Sequence, residues 1–217
     1  MRIIAAADIH GIREVYDWLV ERARIHSPDA IVLAGDLFGW GDAGSTVEDG
    51  QAGDRLEVLQ RFSEIECPVF YVMGNDDLIE LDAPDEKHLS VQGKRLNQGG
   101  FNFVGYQFSL PFMGGVFERP EHKIEDDLAL LEQLVDDQTV FVTHGPAHGV
   151  LDRVSSGQHV GSKSLRDFLI RTAPRIHVHG HIHHEFGRDG YHFNVASAGR
   201  KRAMLINLTT MDHEVLE

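Results

Sequence analysis

The chain has 217 residues, of which 42% are hydrophobic, and its formal net charge is −14 at pH 7. This length and apolar fraction predict one domain over residues 1–217. A surface this acidic disfavours nucleic acid as a partner, because backbone binding depends on Lys and Arg. No apolar run approaches the roughly 20 residues that cross a bilayer, so no membrane partner is expected. Cys67 is the only cysteine, which excludes an internal disulfide and predicts a cytoplasmic protein.

The front half of the chain alternates strand and helix patterns. Short apolar runs predict buried strands, and apolar residues at helical spacing predict helices. The predicted strands are Arg2–Ala7, Ala30–Ala34 and Val69–Met73, and the predicted helices are Ile12–Arg24 and Arg55–Ile65. This alternation indicates an α/β protein with a parallel sheet, in which functional residues lie in loops at the carboxyl ends of strands.

The back half is richer in strands. Apolar runs predict strands at His88–Val91, Phe101–Phe108, Val140–Val142, Ile176–Val178, Tyr191–Ala196 and Ala203–Leu208. Helical spacing covers Ile124–Leu134 and Ser162–Arg171, with Ser162 as the predicted cap of the second helix. The composition of Asn97–Gly100 predicts a turn.

One segment combines flexibility with acidic side chains. Phe38–Gly53 contains five glycines together with Asp42, Glu48 and Asp49, and it follows Asp36 closely. Two interpretations remain open, namely a surface connection of the usual kind and a lid or rim over a functional site.

Five motifs with metal-binding side chains each follow a predicted strand. In chain order they are Asp8-Ile9-His10, Gly35-Asp36, Gly74-Asn75-Asp76-Asp77, Thr143-His144-Gly145-Pro146 and Gly180-His181-Ile182-His183. A single Asp or His at a strand end is more often a hydrogen-bonding or capping residue. The recurrence of carboxylate, amide and imidazole groups after five strands indicates instead a site for two divalent metal ions, drawn from Mn, Fe, Zn, Co or Ni.

These motifs, in content and order, resemble those of the calcineurin-like metallophosphoesterase superfamily. The resemblance spans nearly the whole chain, and Thr143–Asp152 and His159–Arg166 resemble its small single-domain prokaryotic members. It implies a four-layer α/β/β/α sandwich with two mixed sheets. It also implies a dinuclear metal centre, with manganese favoured, whose ligands follow motif position. They are Asp8, His10 and His183 for the first ion, Asn75, His144 and His181 for the second, and Asp36 as the bridge.

The resemblance implies a metal-dependent phosphoric ester hydrolase. Its expected substrates are small phosphodiesters or phosphomonoesters, attacked in line by a metal-bridging hydroxide. Protein Ser/Thr phosphatases are less expected, because Asp36-Leu37-Phe38-Gly39-Trp40 and Met73-Gly74-Asn75-Asp76 contain no arginine. A catalytically weak or inactive binding or scaffold protein of the same fold is the alternative, and a homo-oligomer is left open.

Asp76 departs from the family pattern, in which many members carry a histidine after the Gly-Asn pair. Two neighbouring cations should drive this carboxyl group toward its ionised form, which cannot protonate a leaving group. Esters with poor leaving groups are therefore expected to react slowly. Asp77 is predicted to orient a metal ligand, and either His148 or His159 is a candidate proton donor.

Overall fold

The structure, a computed structural model, describes residues 1–41, 46–82 and 85–217. Within these residues the strands are β1 (Arg2–Ala6), β2 (Ala30–Ala34), β3 (Val69–Val72), β4 (His88–Ser90), β5 (Arg95–Gln98), β6 (Phe101–Tyr106), β7 (Thr139–Thr143), β8 (Ile176–His179), β9 (Gly187–Asp189), β10 (His192–Asn194), β11 (Ala203–Asn207) and β12 (His213–Leu216). The α-helices are α1 (Arg13–His26), α2 (Val47–Phe62), α3 (Glu121–Leu131) and α4 (Lys163–Thr172). Two 3₁₀ turns cover Glu132–Leu134 and His183–Glu185.

The strands form two mixed six-stranded sheets. The first has the order β12-β11-β1-β2-β3-β4, and the second has the order β5-β6-β7-β8-β10-β9. Strands β1 to β4 run parallel to one another, and so do β6, β7, β8 and β10, whereas β11, β12, β5 and β9 pair antiparallel. Parallel strands end at the same edge of a sheet, so each sheet gathers several strand ends at one edge.

Three apolar clusters hold four layers together. Between the sheets, side chains of both pack face to face, and the rings of Phe70 and Phe103 stack with their centroids 4.1 Å apart. Helices α1 and α2 cover the outer face of the first sheet, and α3 and α4 cover that of the second. The four-layer α/β/β/α sandwich expected from the sequence is confirmed. Among the described residues, no helix is long and apolar enough to cross a membrane.

Most predicted elements agree with the structure, and Ala30–Ala34 agrees at both ends. The main error concerns α2, which begins at Val47 and not at Arg55. The Thr46 side chain accepts a hydrogen bond from the Asp49 backbone N–H at 3.1 Å and caps the helix. The second part of the segment Phe38–Gly53 is therefore helical, while Asp42 lies outside the described residues.

The other errors are short strands at sheet edges. The turn predicted at Asn97–Gly100 is confined to Gly99 and Gly100, because Arg95–Gln98 forms β5 and pairs with β6. Strands β9 and β12 were not predicted, and both are edge strands.

Candidate metal centre

The five motifs meet at one edge of the sandwich. In the first sheet, the loops after β1, β2 and β3 carry three of them, and in the second sheet the loops after β7 and β8 carry the other two. The predicted metal ligands in these loops are Asp8, His10, Asp36, Asn75, His144, His181 and His183. Segments remote in sequence therefore place their polar side chains together because of the strand order.

Four of these residues adopt the left-handed backbone conformation. The φ angle is 56° at Asp8, 53° at His10, 51° at Asp36 and 70° at His181. This conformation is unfavourable by about 1–2 kcal/mol for a residue with a side chain. Strain of this kind is retained where surrounding structure enforces it, typically at functional sites.

Two glycines leave room for the carboxylates. A β-carbon at Gly74 would collide with the Asp36 carboxylate, and one at Gly180 would collide with that of Asp8. The glycine that begins each of these motifs therefore makes space for an acidic side chain from another strand.

The first group of donor atoms comes from the loops after β1 and β8. The Nε2 of His183 lies 3.0 Å from the Oδ1 of Asp8 and 3.4 Å from the Nε2 of His10. Donor atoms of all three residues lie within 4.8 Å of one another. One carboxylate and two imidazoles around a single point suit a divalent transition-metal ion.

The second group joins the loops after β2, β3 and β7. The Nε2 of His144 lies 2.9 Å from the Oδ1 of Asn75 and 3.3 Å from the Oδ2 of Asp36. Donor atoms of Asp8, Asp36 and His144 also lie within 4.8 Å of one another. Asp36 thus lies between the two groups of donor atoms.

His181 stands slightly apart from these donor groups. Its ring centroid lies 5.1 Å from that of His144, but His181 is not in the described donor clusters. Burial, followed by the charge of His144, lowers the pKa of His181 to about 4. Its imidazole is therefore neutral near pH 7, as metal ligation requires.

Asp36 and His144 form a buried ion pair. Burial alone raises the pKa of Asp36, but the charge and hydrogen bond of His144 outweigh it and lower that pKa to about 2. Burial alone lowers the pKa of His144, but the charge and hydrogen bond of Asp36 outweigh burial and raise that pKa to about 10. The proton on His144 therefore occupies the place in which a cation would neutralise the carboxylate, and metal binding would release it.

The sequence of the chain matches a known protein family. Residues 1–185 match the family of calcineurin-like phosphoesterases. The chain belongs to this family. Metallophosphoesterase domain-containing protein 1 of Homo sapiens and of Mus musculus are each 33% identical over 102 residues, covering 45% of this chain and 30% of theirs. The match therefore spans less than a third of the length of these curated relatives.

Solved structures show the same fold along the whole chain. The protein TT1561 of Thermus thermophilus superposes with a TM-score of 0.76 at 17% identity, covering 99% of this chain and 97% of that one. A dimetal phosphatase from Danio rerio superposes with a TM-score of 0.65 at 11% identity, covering 100% and 98%. The family predicted from the sequence is confirmed.

Asp76, the departure from the common family pattern, lies against the first donor group. Its Oδ2 is 3.6 Å from the Nδ1 of His10, and its Oδ1 accepts a hydrogen bond from the Asn75 side-chain amide at 2.8 Å. Among the protein's own groups, burial and then the charge of Asp36 raise the pKa of Asp76. Two dications would act in the opposite direction. The expected ionisation of Asp76 therefore depends on bound metal.

Asp77 contacts main-chain atoms. Its Oδ1 accepts hydrogen bonds from the backbone N–H groups of Leu37 and Phe38, and its Oδ2 accepts one from Gly74, at 2.8–2.9 Å. Burial, followed by the charge of Asp36, raises the pKa of Asp77 to about 8. The side chain fastens the loops that carry Asp36 and Asn75, so any orienting role is exerted through the backbone.

Gln51, on α2, also stabilises the loop that carries Asn75 through hydrogen bonds to backbone atoms. This role was not predicted from the sequence. The Gln51 side chain is fully buried, donates to the Asp76 carbonyl at 2.8 Å and accepts from the Leu78 backbone N–H at 2.7 Å. A glutamine seven residues before Val58, on the buried face of the helix, was the available signal.

The two candidate proton donors lie in the loop between β7 and α4. The rings of His148 and His159 are 5.5 Å apart, and His159 forms an ion pair with the buried Asp152. Neither histidine is among the described residues that line the cavity above the metal ligands. Val154 and Val160 from the same loop do line it.

Proposed function

We propose that the chain is a dinuclear-metal-dependent phosphoesterase that hydrolyses small phosphodiesters or activated phosphomonoesters. The position of Asp36 carries this proposal. Its carboxylate lies between the donor group of Asp8, His10 and His183 and that of Asn75 and His144. The donor set fits two divalent ions, because it combines carboxylates, an amide oxygen and imidazoles in two converging groups.

Two divalent ions held by Asp8, His10, Asp36, Asn75, His144, His181 and His183 would supply a hydroxide nucleophile near neutral pH and would stabilise the attacking and leaving oxygens of an in-line displacement. The chain's residues determine where that displacement occurs. Asp8 and Asp36 would neutralise only part of the charge of two dications, so the floor of the loaded cavity would be electropositive toward a phosphoryl group. The His181 imidazole supplies a neutral donor, whereas His144 would release its proton when it binds an ion.

The substrate range follows from Asp76. An ionised carboxylate beside His10 cannot give a proton to the leaving oxygen, and it repels a second negative charge on phosphorus. Good leaving groups need no proton, because the electron pair of the broken phosphorus–oxygen bond is stable on the departing oxygen. Aryl esters and diesters are therefore the substrates that this centre suits best.

The test combines metal analysis with a panel of phosphoesters. The purified chain should bind two divalent ions and hydrolyse aryl phosphodiesters, and Asp36→Asn should lose the hydrolysis while it remains folded. A chain that binds no divalent ion, or an Asp36→Asn variant as active as the parent, would contradict the proposal.

The alternative is a scaffold or binding protein of the same fold. Asp76 favours it, because its carboxylate lies with donor atoms of His10 and Asp36 within 4.8 Å and adds negative charge where phosphate would bind. The same experiment separates the two functions, since two bound ions without hydrolysis of any ester in the panel would support the scaffold.

A further inference from the structure

The cavity above the candidate metal centre is lined by two chemically different sets of residues. Its volume is about 340 Å³. The polar set contains His10, Asp36, Asn75, Asp76, His181, His183 and His184. The apolar set contains Leu110, Pro111, Phe112, Val154, Val160 and Ile182. The proposed metal site accounts for most of the polar set and leaves the apolar set without a role.

Phe112 is the most exposed large member of the apolar set. Its side chain is 66% exposed, and its ring meets that of His181 edge to face with the centroids 5.4 Å apart. The Glu118 carboxylate accepts hydrogen bonds from the backbone N–H groups of Phe112, Met113 and Gly114 at 2.8–2.9 Å. The ring of Phe112 is therefore exposed to solvent beside a predicted metal ligand. The backbone hydrogen bonds to Glu118 stabilise the loop that carries it.

Val154 and Val160 belong to a small hairpin between β7 and α4. Val154 donates its backbone N–H to the Gln158 carbonyl at 2.9 Å, and Val160 donates to that of Asp152 at 3.1 Å. An ion pair of 3.6 Å between Arg153 and Glu185 links the hairpin to the turn that carries His183. This apolar surface is therefore also fixed relative to the metal ligands.

Charge limits what the cavity accepts. None of the described residues that line it is a lysine or an arginine. A second phosphate or a carboxylate on the substrate would therefore lose its hydration without gaining a charged partner, which is unfavourable. The organic part of a ligand must be uncharged where it meets the apolar set.

We propose that Phe112, Val154 and Val160 form a binding cleft for the organic group of the substrate, and that this substrate is a phosphoester of an uncharged aromatic alcohol with a single phosphoryl group. This inference rests on the proposed function and specifies its substrate class. The reaction forms a phosphorus–oxygen bond from hydroxide and breaks the bond to the aryl oxygen, which leaves with the electron pair. An aryl oxide departs without a proton from Asp76, so the cleft and the absence of an acid select the same substrates.

Phosphonates test the cleft without turnover, because their phosphorus–carbon bond is not hydrolysed. Phenylphosphonate and methylphosphonate would be titrated calorimetrically into the manganese-loaded protein. The parent chain should bind phenylphosphonate more tightly, and Phe112→Ala should reduce this preference by about three- to tenfold, the range for one aromatic contact. Met113→Ala is the matched control, because Met113 is 61% exposed in the same loop and does not line the cavity.

Steady-state kinetics on an aryl phosphodiester complete the experiment. Phe112→Ala should raise KM with little change in kcat, and Met113→Ala should match the parent. The cleft is contradicted if the parent binds the two phosphonates equally, or if both variants lose the preference for phenylphosphonate to the same extent. In either case, hydrolysis of the aryl phosphodiester by the parent still supports the proposed function. Absence of hydrolysis in a metal-loaded parent that prefers phenylphosphonate overturns the function and leaves the cleft standing.

Discussion

The Oδ2 of Asp76 lies 3.6 Å from the Nδ1 of His10, on the side of the imidazole away from His183. At this distance the two side chains are in contact, but the atoms are too far apart for a hydrogen bond. The residue that departs from the common family pattern therefore contacts a predicted ligand directly, and the proposed function assigns it the limit on leaving groups.

The first prediction concerns leaving groups. The parent chain should hydrolyse aryl phosphodiesters far faster than alkyl ones, because general acid catalysis of about 10²–10⁴-fold is missing. Asp76→His restores a protonatable group and should raise kcat/KM for alkyl esters at least about tenfold. Rates would be compared across esters whose alcohols differ in pKa.

Asp76→Asn is the control for this prediction, since it removes the charge without adding a proton donor. If Asp76→Asn raises kcat/KM for alkyl esters as much as Asp76→His does, the negative charge of Asp76 limits the reaction and the lack of a proton donor does not. Comparable rates of the parent on alkyl and aryl esters would rule out the assigned role of Asp76.

The second prediction concerns Asp77. Removing its carboxylate leaves the buried N–H groups of Leu37, Phe38 and Gly74 without their acceptor, so Asp77→Ala should lower the free energy of unfolding by about 3 kcal/mol. Asp77→Asn keeps the shape and one acceptor oxygen, and should lose less. Urea denaturation measures both. An Asp77→Ala chain as stable as the parent, but altered in its leaving-group dependence, would instead place Asp77 in contact with substrate.

Sequence pattern located the strand ends that precede the predicted metal ligands, for a physical reason. Runs such as Ala30–Ala34 are apolar on both faces because the strand is buried on both faces, and a polar residue such as Asp36 marks the point where the chain leaves the core. The predicted cap at Ser162 is also confirmed, because its side chain accepts a hydrogen bond from the Leu165 backbone N–H at 3.0 Å at the start of α4.

Tertiary contacts decided what the pattern missed. Gly50 and Gly53 indicated a loop, yet α2 runs through both, and a β-carbon at Gly50 would collide with the backbone of Gly41. Gly50 allows the helix to pack closely against the backbone at Gly41, and a local sequence pattern does not reveal such a contact. The role proposed for Phe112 was missed for a similar reason, because it depends on the position of the ring beside His181.

The third prediction concerns acid stability. His177 is fully buried, bonded to Thr143 at 2.9 Å and to His192 at 3.1 Å. Burial, followed by the charges of His179 and His192, holds the pKa of His177 well below its usual value. The unfolded chain therefore takes up a proton below about pH 6.5 that the folded chain does not, so stability falls as the pH falls, by about 1.4 kcal/mol per pH unit for this group.

His177→Gln should reduce the loss of unfolding free energy between pH 7.5 and pH 5 by about 2 kcal/mol relative to the parent. Chelator-treated protein would be unfolded in urea at both values, which separates this effect from metal binding. The exposed His122 provides the control, and His122→Gln should retain the parent's dependence. An unchanged pH dependence in His177→Gln would show that this histidine is not held neutral by the fold.

The most direct test of the central claim is the metal content of the purified chain measured together with its hydrolysis of an aryl phosphodiester, for the parent and for Asp36→Asn. The parent should hold two divalent ions per chain and lose hydrolysis on chelation. Asp36→Asn should bind fewer ions and lose more than about 100-fold in kcat/KM, beyond the effect of removing an outer contact of a ligand. Two bound ions without hydrolysis, or hydrolysis that survives chelation, would contradict the account.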